Sequence, residues 1–156
     1  MSWTLTPALL EDAPAVAAVV AAAYTPYIAR IGTKPGPMLD DYAAVIADHI
    51  VHVARDGGAP GGTIGGVVVL IEKQDGTILF DNIAVAPEAQ GSGLGRRLMD
   101  FAEAEAARRG YARLDLYTHH MMTENIEIYA RRGYVETDRR TERGFPRVYM
   151  AKDLER

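Results

Sequence analysis

The glycines at positions 91, 93 and 95 form the part of the sequence best suited to binding an anion. They follow the apolar run 83–85 and precede an amphipathic pattern, which predicts a strand, a loop and a helix in succession. Glycines have no β-carbon, so the backbone N–H groups of such a loop can converge on one point, and the helix start adds unpaired amides and a positive dipole end. The stretch therefore predicts a phosphate-binding loop.

The spacing of these glycines excludes two common nucleotide-binding motifs. A P-loop needs Lys followed by Ser or Thr after its last glycine, but Gly95 is followed by Arg96. A dinucleotide fingerprint needs glycine at its first, third and sixth positions, and counting from Gly91 the sixth position is again Arg96. The pattern that remains is Gln90-x-x-Gly93-x-Gly95 after an apolar strand.

This pattern resembles the acetyl-coenzyme A binding motif of the GCN5-related N-acetyltransferase (GNAT) superfamily. A second segment, Asn125-x-x-x-Tyr129 with Arg-Gly-Tyr at 132–134, resembles another cofactor motif of that family, and the matches together cover about residues 77–138. The resemblance implies an acyltransferase that moves an acetyl group from acetyl-coenzyme A to an amine. An ordinary helix-start turn remains the alternative interpretation of the glycines.

The resemblance also implies which residues contact the cofactor. They are Ile83, Ala84, Val85, Gln90, Gly91, Ser92, Gly93, Leu94, Gly95, Arg96 and Asn125. In the family, a backbone N–H of the fourth strand, here within 83–85, polarises the thioester carbonyl as an oxyanion-type donor. Arg96 would contact a phosphate, and an uninvolved surface charge is the open alternative.

Amide formation from a thioester also needs an acid for the departing thiolate and a base for the amine. Tyr129 matches the family's acid position, one helical turn after Asn125, although a tyrosine packed against the sheet is the alternative. For the base, Asp81 has the strand parity of residues 83 and 85 and can face the site, with Glu72 on the paired strand as second candidate. A solvated edge carboxylate is the alternative for both.

The composition limits the possible functions. With 156 residues, 48% of them hydrophobic, the chain suits one globular domain spanning residues 1–156. It has no cysteine, which removes thiolate nucleophiles and favours direct transfer to the acceptor. A formal charge of −4 argues against a nucleic-acid partner. No apolar run approaches the length of about 18 residues that a membrane span needs, so we expect a soluble, cytoplasmic protein.

The histidine pair at 119 and 120 raises the question of a metal site. Adjacent histidines on an extended segment point to opposite faces, and no cysteine or third spaced ligand accompanies them, so we predict no metal. His119 would instead contact the acceptor, because in the GNAT family the end of the fifth strand borders the cleft.

Residues 24–38 contain three prolines, two glycines and two tyrosines, which predicts a long connection between two helices. By analogy with the family, this connection walls the acceptor side of the cleft. Tyr24 and Tyr27 would offer ring faces and hydroxyls there and, with the charge of Asp81, would suit a small cationic amine. The alternatives are a peptide or protein amine, and a catalytically poor acyl-coenzyme A binding or interaction module.

The predicted element order, β-α-α-β-β-β-α-β-α-β-β, indicates an α/β fold with a strongly twisted mixed sheet of about seven strands and helices on both faces. A glycine-rich turn at 56–62 joins strands two and three, and Asp75-Gly76 joins strands three and four. The GNAT resemblance implies that strands four and five splay, so that coenzyme A can enter between them. Exposed sheet edges and the tyrosines at 134 and 149 predict a homodimer.

Overall fold

A computed structural model describes residues 2–57 and 62–154, which form a seven-stranded sheet in the order β1-β2-β3-β4-β5-β7-β6. The strands are β1 (Trp3–Pro7), β2 (Ile50–Asp56), β3 (Ile64–Glu72), β4 (Ile78–Val85), β5 (Arg113–His119), β6 (Val135–Glu142) and β7 (Phe145–Asp153). The helices are α1 (Ala13–Tyr24), α2 (Pro26–Ile31), α3 (Tyr42–Asp48), α4 (Leu94–Arg108) and α5 (Thr123–Arg131). The predicted mixed sheet is confirmed, while residues 58–61 of the predicted 56–62 turn lie outside the described residues.

The central strand β3 is buried from Ile64 to Leu70, so its sequence is apolar without alternation. The glycine at 66 lets α4 approach closely, because a β-carbon there would lie 2.9 Å from Cδ1 of Leu98 and 3.1 Å from Cδ2 of Leu94. Both leucines are fully buried, as their helical spacing predicts. This contact fixes the start of α4, and with it the glycine loop, beside β4.

The segment 24–38 is more structured than its sequence predicts. It contains α2 and a 3₁₀ turn, Gly36–Leu39, so the prediction of a continuous connection was wrong. Proline is favoured in the first turn of a helix, and Pro26 begins α2, while Gly32, with φ of +87°, ends it. A helix of six residues is too short for hydrophobic periodicity to reveal.

Strands β4 and β5 separate soon after they meet. They pair in parallel only at Leu79 with Asp115 and Phe80 with Leu116, although β4 continues to Val85 and β5 to His119. The predicted splay is therefore confirmed. It coincides with a bulge in β4, because Val69 of β3 opposes Asn82 while the next residue opposes Phe80. Asp81 is the extra residue, and bulges of this kind bend a strand and redirect side chains.

None of the helices in the described part of the chain is long and apolar enough to cross a membrane.

Candidate active site

A cavity of about 700 Å³ lies where β4 and β5 separate. Its walls come from those two strands, the end of α1, the 3₁₀ turn, α5 and the hairpin between β6 and β7. Six of the residues predicted to form the site line it: Tyr24, Asp81, Ile83, His119, Asn125 and Tyr129. These residues come from four different elements, so the fold brings together side chains that are up to 105 positions apart in the chain.

Asp81 is the predicted base, and its side chain is largely buried at the bulge of β4. Burial raises its pKa to about 6, the carboxylate of Asp40 adds to this rise, and the guanidinium of Arg147 opposes it. Its carboxylate has no ion-pair partner within the described residues. A carboxylate with this pKa is ionised near neutral pH and basic enough to accept a proton.

Tyr129 is the predicted acid. Its ring packs edge-on against Phe80 and Tyr134, at centroid distances of 6.3 and 5.7 Å. Burial raises the pKa of its hydroxyl to about 12, so the phenol keeps its proton at neutral pH. Within the described residues this hydroxyl makes no hydrogen bond. A packed ring with an uncommitted hydroxyl beside a cavity is suited to donating a proton.

Tyr24 also lines the cavity. Its hydroxyl belongs to a chain of hydrogen bonds that the sequence did not reveal. Its hydroxyl donates to Oδ1 of Asn82 at 2.9 Å and lies 3.1 Å from the carbonyl oxygen of Ile83. The Asn82 amide donates to the Tyr42 hydroxyl at 2.9 Å, which donates to the carbonyl of Pro37 at 2.6 Å. The only sequence signal was an asparagine at an inward-facing position of a buried strand.

Two of the residues predicted for catalysis or acceptor binding are not brought into the cavity. Tyr27 lies on α2, and its hydroxyl is 3.4 Å from the carboxylate of Glu124 on α5, which also pairs with Arg30 at 2.7 Å. Glu72 accepts hydrogen bonds from Arg109 and from the hydroxyl of Tyr111 outside the cavity. Its neighbours at 71 and 73 line the cavity instead, since successive residues of an extended chain face opposite ways.

The free edge of β4 carries two unpaired residues. The amide of Ala86 donates to the carbonyl of Gly65 at 2.8 Å. Because every second residue of an antiparallel strand hydrogen-bonds to the same neighbour, the backbone N–H and C=O of Ala84 also point toward β3. The polar backbone groups of Ile83 and Val85 therefore point away from β3, toward the gap that β5 leaves. Ala84, the central residue of the predicted run 83–85, therefore cannot donate its N–H to a ligand.

The glycine loop has the open, amide-rich form that its sequence predicts. Gly91 and Gly93 have φ of +82° and +83°. Apart from their chain neighbours, no heavy atom of the described residues lies within 4 Å of the position that a β-carbon would take at either glycine. No backbone hydrogen bond engages the amides of residues 91–96 within the described part of the chain. The Gln90 side chain donates to the carbonyl of Val85 at 3.3 Å and so fastens the loop to β4.

Three other predicted contacts surround the loop and α5. The Ser92 hydroxyl donates to the carbonyl of Ala89 at 2.6 Å, and the Arg96 side chain is exposed. Among the described residues, the side chain of Asn125 makes one hydrogen-bond contact, at 3.9 Å to the sulfur of Met122. Its amide is therefore available to a ligand.

The second motif, at 132–134, has a structural role. Arg132 contacts Asp100 at 2.8 Å and Glu103 at 3.1 Å, and the Tyr134 hydroxyl donates to Glu103 at 3.1 Å. Because both carboxylates belong to α4, the motif joins the end of α5 to the helix that begins at the glycine loop.

The two adjacent histidines do not point apart, so that expectation was wrong. Their rings stack at 5.1 Å with an interplanar angle of 21°, because His120 lies in the turn after β5. Nδ1 of His119 accepts from the amide of Met121 at 3.1 Å, and burial lowers the pKa of this imidazole. Within the described residues, no group of three or more His, Asp or Glu side chains is placed to hold a metal ion.

Six further charged or phenolic side chains line the cavity without having been predicted: Asp40, Lys73, Tyr117, Glu142, Arg143 and Arg147. The two arginines come from the β6–β7 hairpin, which follows the second motif in the chain. No local pattern indicates that this hairpin folds over β4, so the sequence offered no signal for them.

The chain belongs to the GNAT acetyltransferases: residues 47–136 match the family model described as the Acetyltransferase (GNAT) domain. It is 41% identical over 61 residues to N-alpha-acetyltransferase 80 of Mus musculus, covering 39% of this chain and 18% of that protein. It is 30% identical over 92 residues to the mycothiol acetyltransferase of Jonesia denitrificans, covering 59% and 29%. The matches thus span less than a third of either relative.

Solved structures agree with the family. The GCN5-related N-acetyltransferase from Rhodopseudomonas palustris superposes with a TM-score of 0.79 at 25% identity, over 99% of this chain and 97% of that one. The paiA N-acetyltransferase from Thermoplasma acidophilum, solved with coenzyme A, gives 0.80 at 18% identity, over 99% and 100%. The second likeness supports the fold alone. The family predicted from the glycine loop is confirmed.

Proposed function

We propose that this chain, as a single domain over residues 1–156, transfers an acetyl group from acetyl-coenzyme A directly to a primary amine of a small molecule. The observation that carries the proposal is the unpaired edge of β4, at Ile83 and Val85, between the glycine loop and the cavity that holds Asp81 and Tyr129. A strand edge, an anion-binding loop and an acid–base pair are then contiguous.

The fit to coenzyme A rests on the loop and on the strand edge. The free amides at 91–96 and the dipole of the 15-residue helix α4 suit the pyrophosphate, and nothing fills the space above Gly91 and Gly93. The N–H groups of Ile83 and Val85 suit the carbonyls of the pantetheine arm, whereas their own carbonyls accept from the Tyr24 hydroxyl and the Gln90 side chain. Coenzyme A bound to the paiA relative supports the same use of this fold.

Acetyl-coenzyme A supplies an acetyl group activated as a thioester. The N–H groups of Ile83 and Val85 are the candidates to polarise its carbonyl. Asp81 takes one proton from the acceptor ammonium, the amine nitrogen bonds to the acetyl carbon, and the carbon–sulfur bond breaks as Tyr129 gives its proton to the sulfur. The second proton released by the nitrogen returns to Tyr129 through solvent.

A small acceptor is favoured over a protein because the cavity is walled on two sides. The 3₁₀ turn is tied to β4 through Tyr42 and Asn82, and the β6–β7 hairpin covers the opposite side. A peptide or protein amine would need an open groove. A catalytically poor binding module remains the rival from another class, and the unpaired Asp81 and free Tyr129 hydroxyl favour an enzyme over it.

Calorimetry of acetyl-coenzyme A binding tests the cofactor assignment. Gly93→Asp should abolish binding, because a carboxylate at the loop repels the pyrophosphate. Positive φ strains any side chain at this residue, so Gly76→Asp, at φ of +85° in the β3–β4 hairpin, is the matched control and should bind normally. Undiminished affinity in folded Gly93→Asp would contradict the proposal.

A homodimer remains part of the proposal, on a different basis from the one predicted. Tyr134 is buried, and Tyr149 lies beneath the guanidinium of Arg140 at 4.0 Å, so neither forms an exposed edge. The exposed strand β6 carries ion pairs, which oppose edge-to-edge association. Pairing is therefore expected through β1, next to which Leu9 and Leu10 are exposed. A monomer mass by light scattering at micromolar concentration would contradict it.

A further inference from the structure

Two opposite charges, those of Asp81 and Arg147, face the cavity without pairing with each other. Asp81 and Arg147 both line it, and the arginine lowers the pKa of the aspartate, so their charges interact. Within the described residues no ion pair joins them at 4 Å or less. The space between them is therefore available to a molecule that carries both a cation and an anion.

Arg147 is held as a binding group would be. Its side chain is only 12% exposed, and its guanidinium lies 4.1 Å from the ring centroid of Tyr117, which fixes its plane. Its one ion-pair contact within the described residues is from Nη1 to Glu142, at 3.2 Å. Glu142 also accepts from Arg140 at the shorter distance of 2.7 Å, so this carboxylate is shared. Arg147 donates no other side-chain hydrogen bond within residues 2–57 and 62–154, so its remaining N–H donors are available to a planar anion.

A second charged pair stands at the same cavity. Arg143, at the tip of the β6–β7 hairpin, lowers the pKa of Asp40, although burial is the larger effect and raises it. The pair forms no ion pair within the described residues. The β6–β7 hairpin thus borders the cavity with Arg143, Arg147 and the carboxylate of Glu142, while Asp81 borders it from β4 and Asp40 from the end of the 3₁₀ turn.

We infer that the acceptor is a small amino acid, a molecule with both an amine and a carboxylate, whose carboxylate binds Arg147 and whose amine faces Asp81. This inference rests on the proposed function and names its substrate class. A guanidinium stacked on Tyr117 suits a carboxylate because two parallel N–H donors match its two oxygens.

Other acceptor classes fit these charges less well. A polyamine or another purely cationic amine would place a positive group near Arg147 and Arg143, in a partly buried space where like charges repel strongly. The N-terminus of a peptide carries a neutral amide where the amino acid has its carboxylate, so it would leave Arg147 without a partner.

Matched acceptors test the inference. Alanine, leucine, phenylalanine and glutamate are each compared with their α-carboxamides, and phenylalanine also with phenethylamine, with kcat/KM measured at saturating acetyl-coenzyme A. We expect at least one free amino acid to exceed its carboxamide by about tenfold or more, which corresponds to about 1.4 kcal/mol. Arg147→Gln should reduce that ratio to about one, mainly through KM, and Arg147→Lys should retain part of it.

Arg140→Gln is the matched control. This arginine contacts the same Glu142 and stacks on Tyr149, but it does not line the cavity, so the ratio should not change. Equal rates for acid and carboxamide, acetylation of no free amino acid, or an equal loss for both acceptors in Arg147→Gln would each overturn the substrate class. Acetyl-coenzyme A binding, measured on the same samples, separates these outcomes from failure of the proposed function, in which that binding is absent.

Discussion

The hydroxyl of Tyr24 donates a hydrogen bond to Oδ1 of Asn82 across 2.9 Å and joins the end of α1 to β4, beyond the point where β5 departs. Beyond Phe80, the edge of β4 opposite β3 pairs with no strand in the described part of the chain. Asn82 in turn binds Tyr42, which holds the carbonyl of Pro37. Side-chain hydrogen bonds thus tie α1 and the 3₁₀ turn to β4 where β5 no longer pairs with it, and they set the position of the cavity wall.

Replacement of Asn82 by leucine should therefore destabilise the fold. The side chain is 3% exposed, and Asn82→Leu, of similar shape, would leave the hydroxyls of Tyr24 and Tyr42 short of partners. We expect the free energy of unfolding in urea to fall by about 2–3 kcal/mol. Tyr24→Phe removes only one donor and should cost about 1 kcal/mol. A loss below about 0.5 kcal/mol in Asn82→Leu would contradict this role.

Local patterns in the sequence predicted the parts of the fold that depend on local interactions. The helical spacing of Leu94 and Leu98 and the Asp75-Gly76 turn correctly indicated α4 and the hairpin between β3 and β4. The glycine loop was recognisable because its backbone conformation, with positive φ at Gly91 and Gly93, requires that residue type.

The acceptor side of the cavity could not be predicted in the same way. Arg147 reaches it because β7 pairs with β5, with Arg147 opposite His119, and this contact spans many positions of the chain. The bulge at Asp81 could not be predicted, because buried and half-buried residues alternate without interruption along the whole of β4. Tyr27 was assigned to the cavity because α2, which turns its ring toward Glu124, was not foreseen.

Loss of the Tyr129 hydroxyl should slow catalysis without weakening the fold. We expect Tyr129→Phe to lower kcat by about 10²-fold or more, because the departing thiolate loses its acid, while affinity for acetyl-coenzyme A changes little. The hydroxyl makes no hydrogen bond within the described residues, so the melting temperature should stay near that of the wild type. Steady-state kinetics and calorimetry provide the measurements.

The neighbouring tyrosine serves as the control. Tyr134→Phe removes a hydrogen bond to Glu103 that joins α4 to the end of α5, so it should lower the melting temperature and leave kcat largely intact. If Tyr129→Phe kept the wild-type kcat, the phenol would be a packing residue between Phe80 and Tyr134.

The imidazole of His52 should make stability depend on pH. Its ring lies 4.3 Å from that of Phe101, and Nδ1 is buried without a hydrogen-bond partner in the described part of the chain. Burial lowers its pKa below the usual 6.5, although Glu105 opposes this. The unfolded chain then binds more protons, so the stabilisation is present above about pH 6.5 and is lost as pH falls through the folded pKa.

Thermal unfolding at pH 8 and pH 5 tests this sign. From pH 8 to pH 5, the melting temperature of the wild type should fall further than that of His52→Leu, because the leucine cannot bind a proton. Equal losses in the wild type and His52→Leu would refute the assignment.

The pKa of Asp81, raised to about 6, predicts how both activity and stability depend on pH. The base must be ionised, so kcat/KM should rise with pH through about 6 and then level off, and Asp81→Asn should lower it by about 10²–10⁴-fold and remove this rise.

The raised pKa stabilises the fold below about pH 3.8, and this contribution is lost as pH rises through about 6. Asp81→Asn should therefore raise the melting temperature at pH 8 and not at pH 4. Glu72→Gln, outside the cavity, should retain the wild-type profile, and a wild-type profile in Asp81→Asn would show that another group is the base.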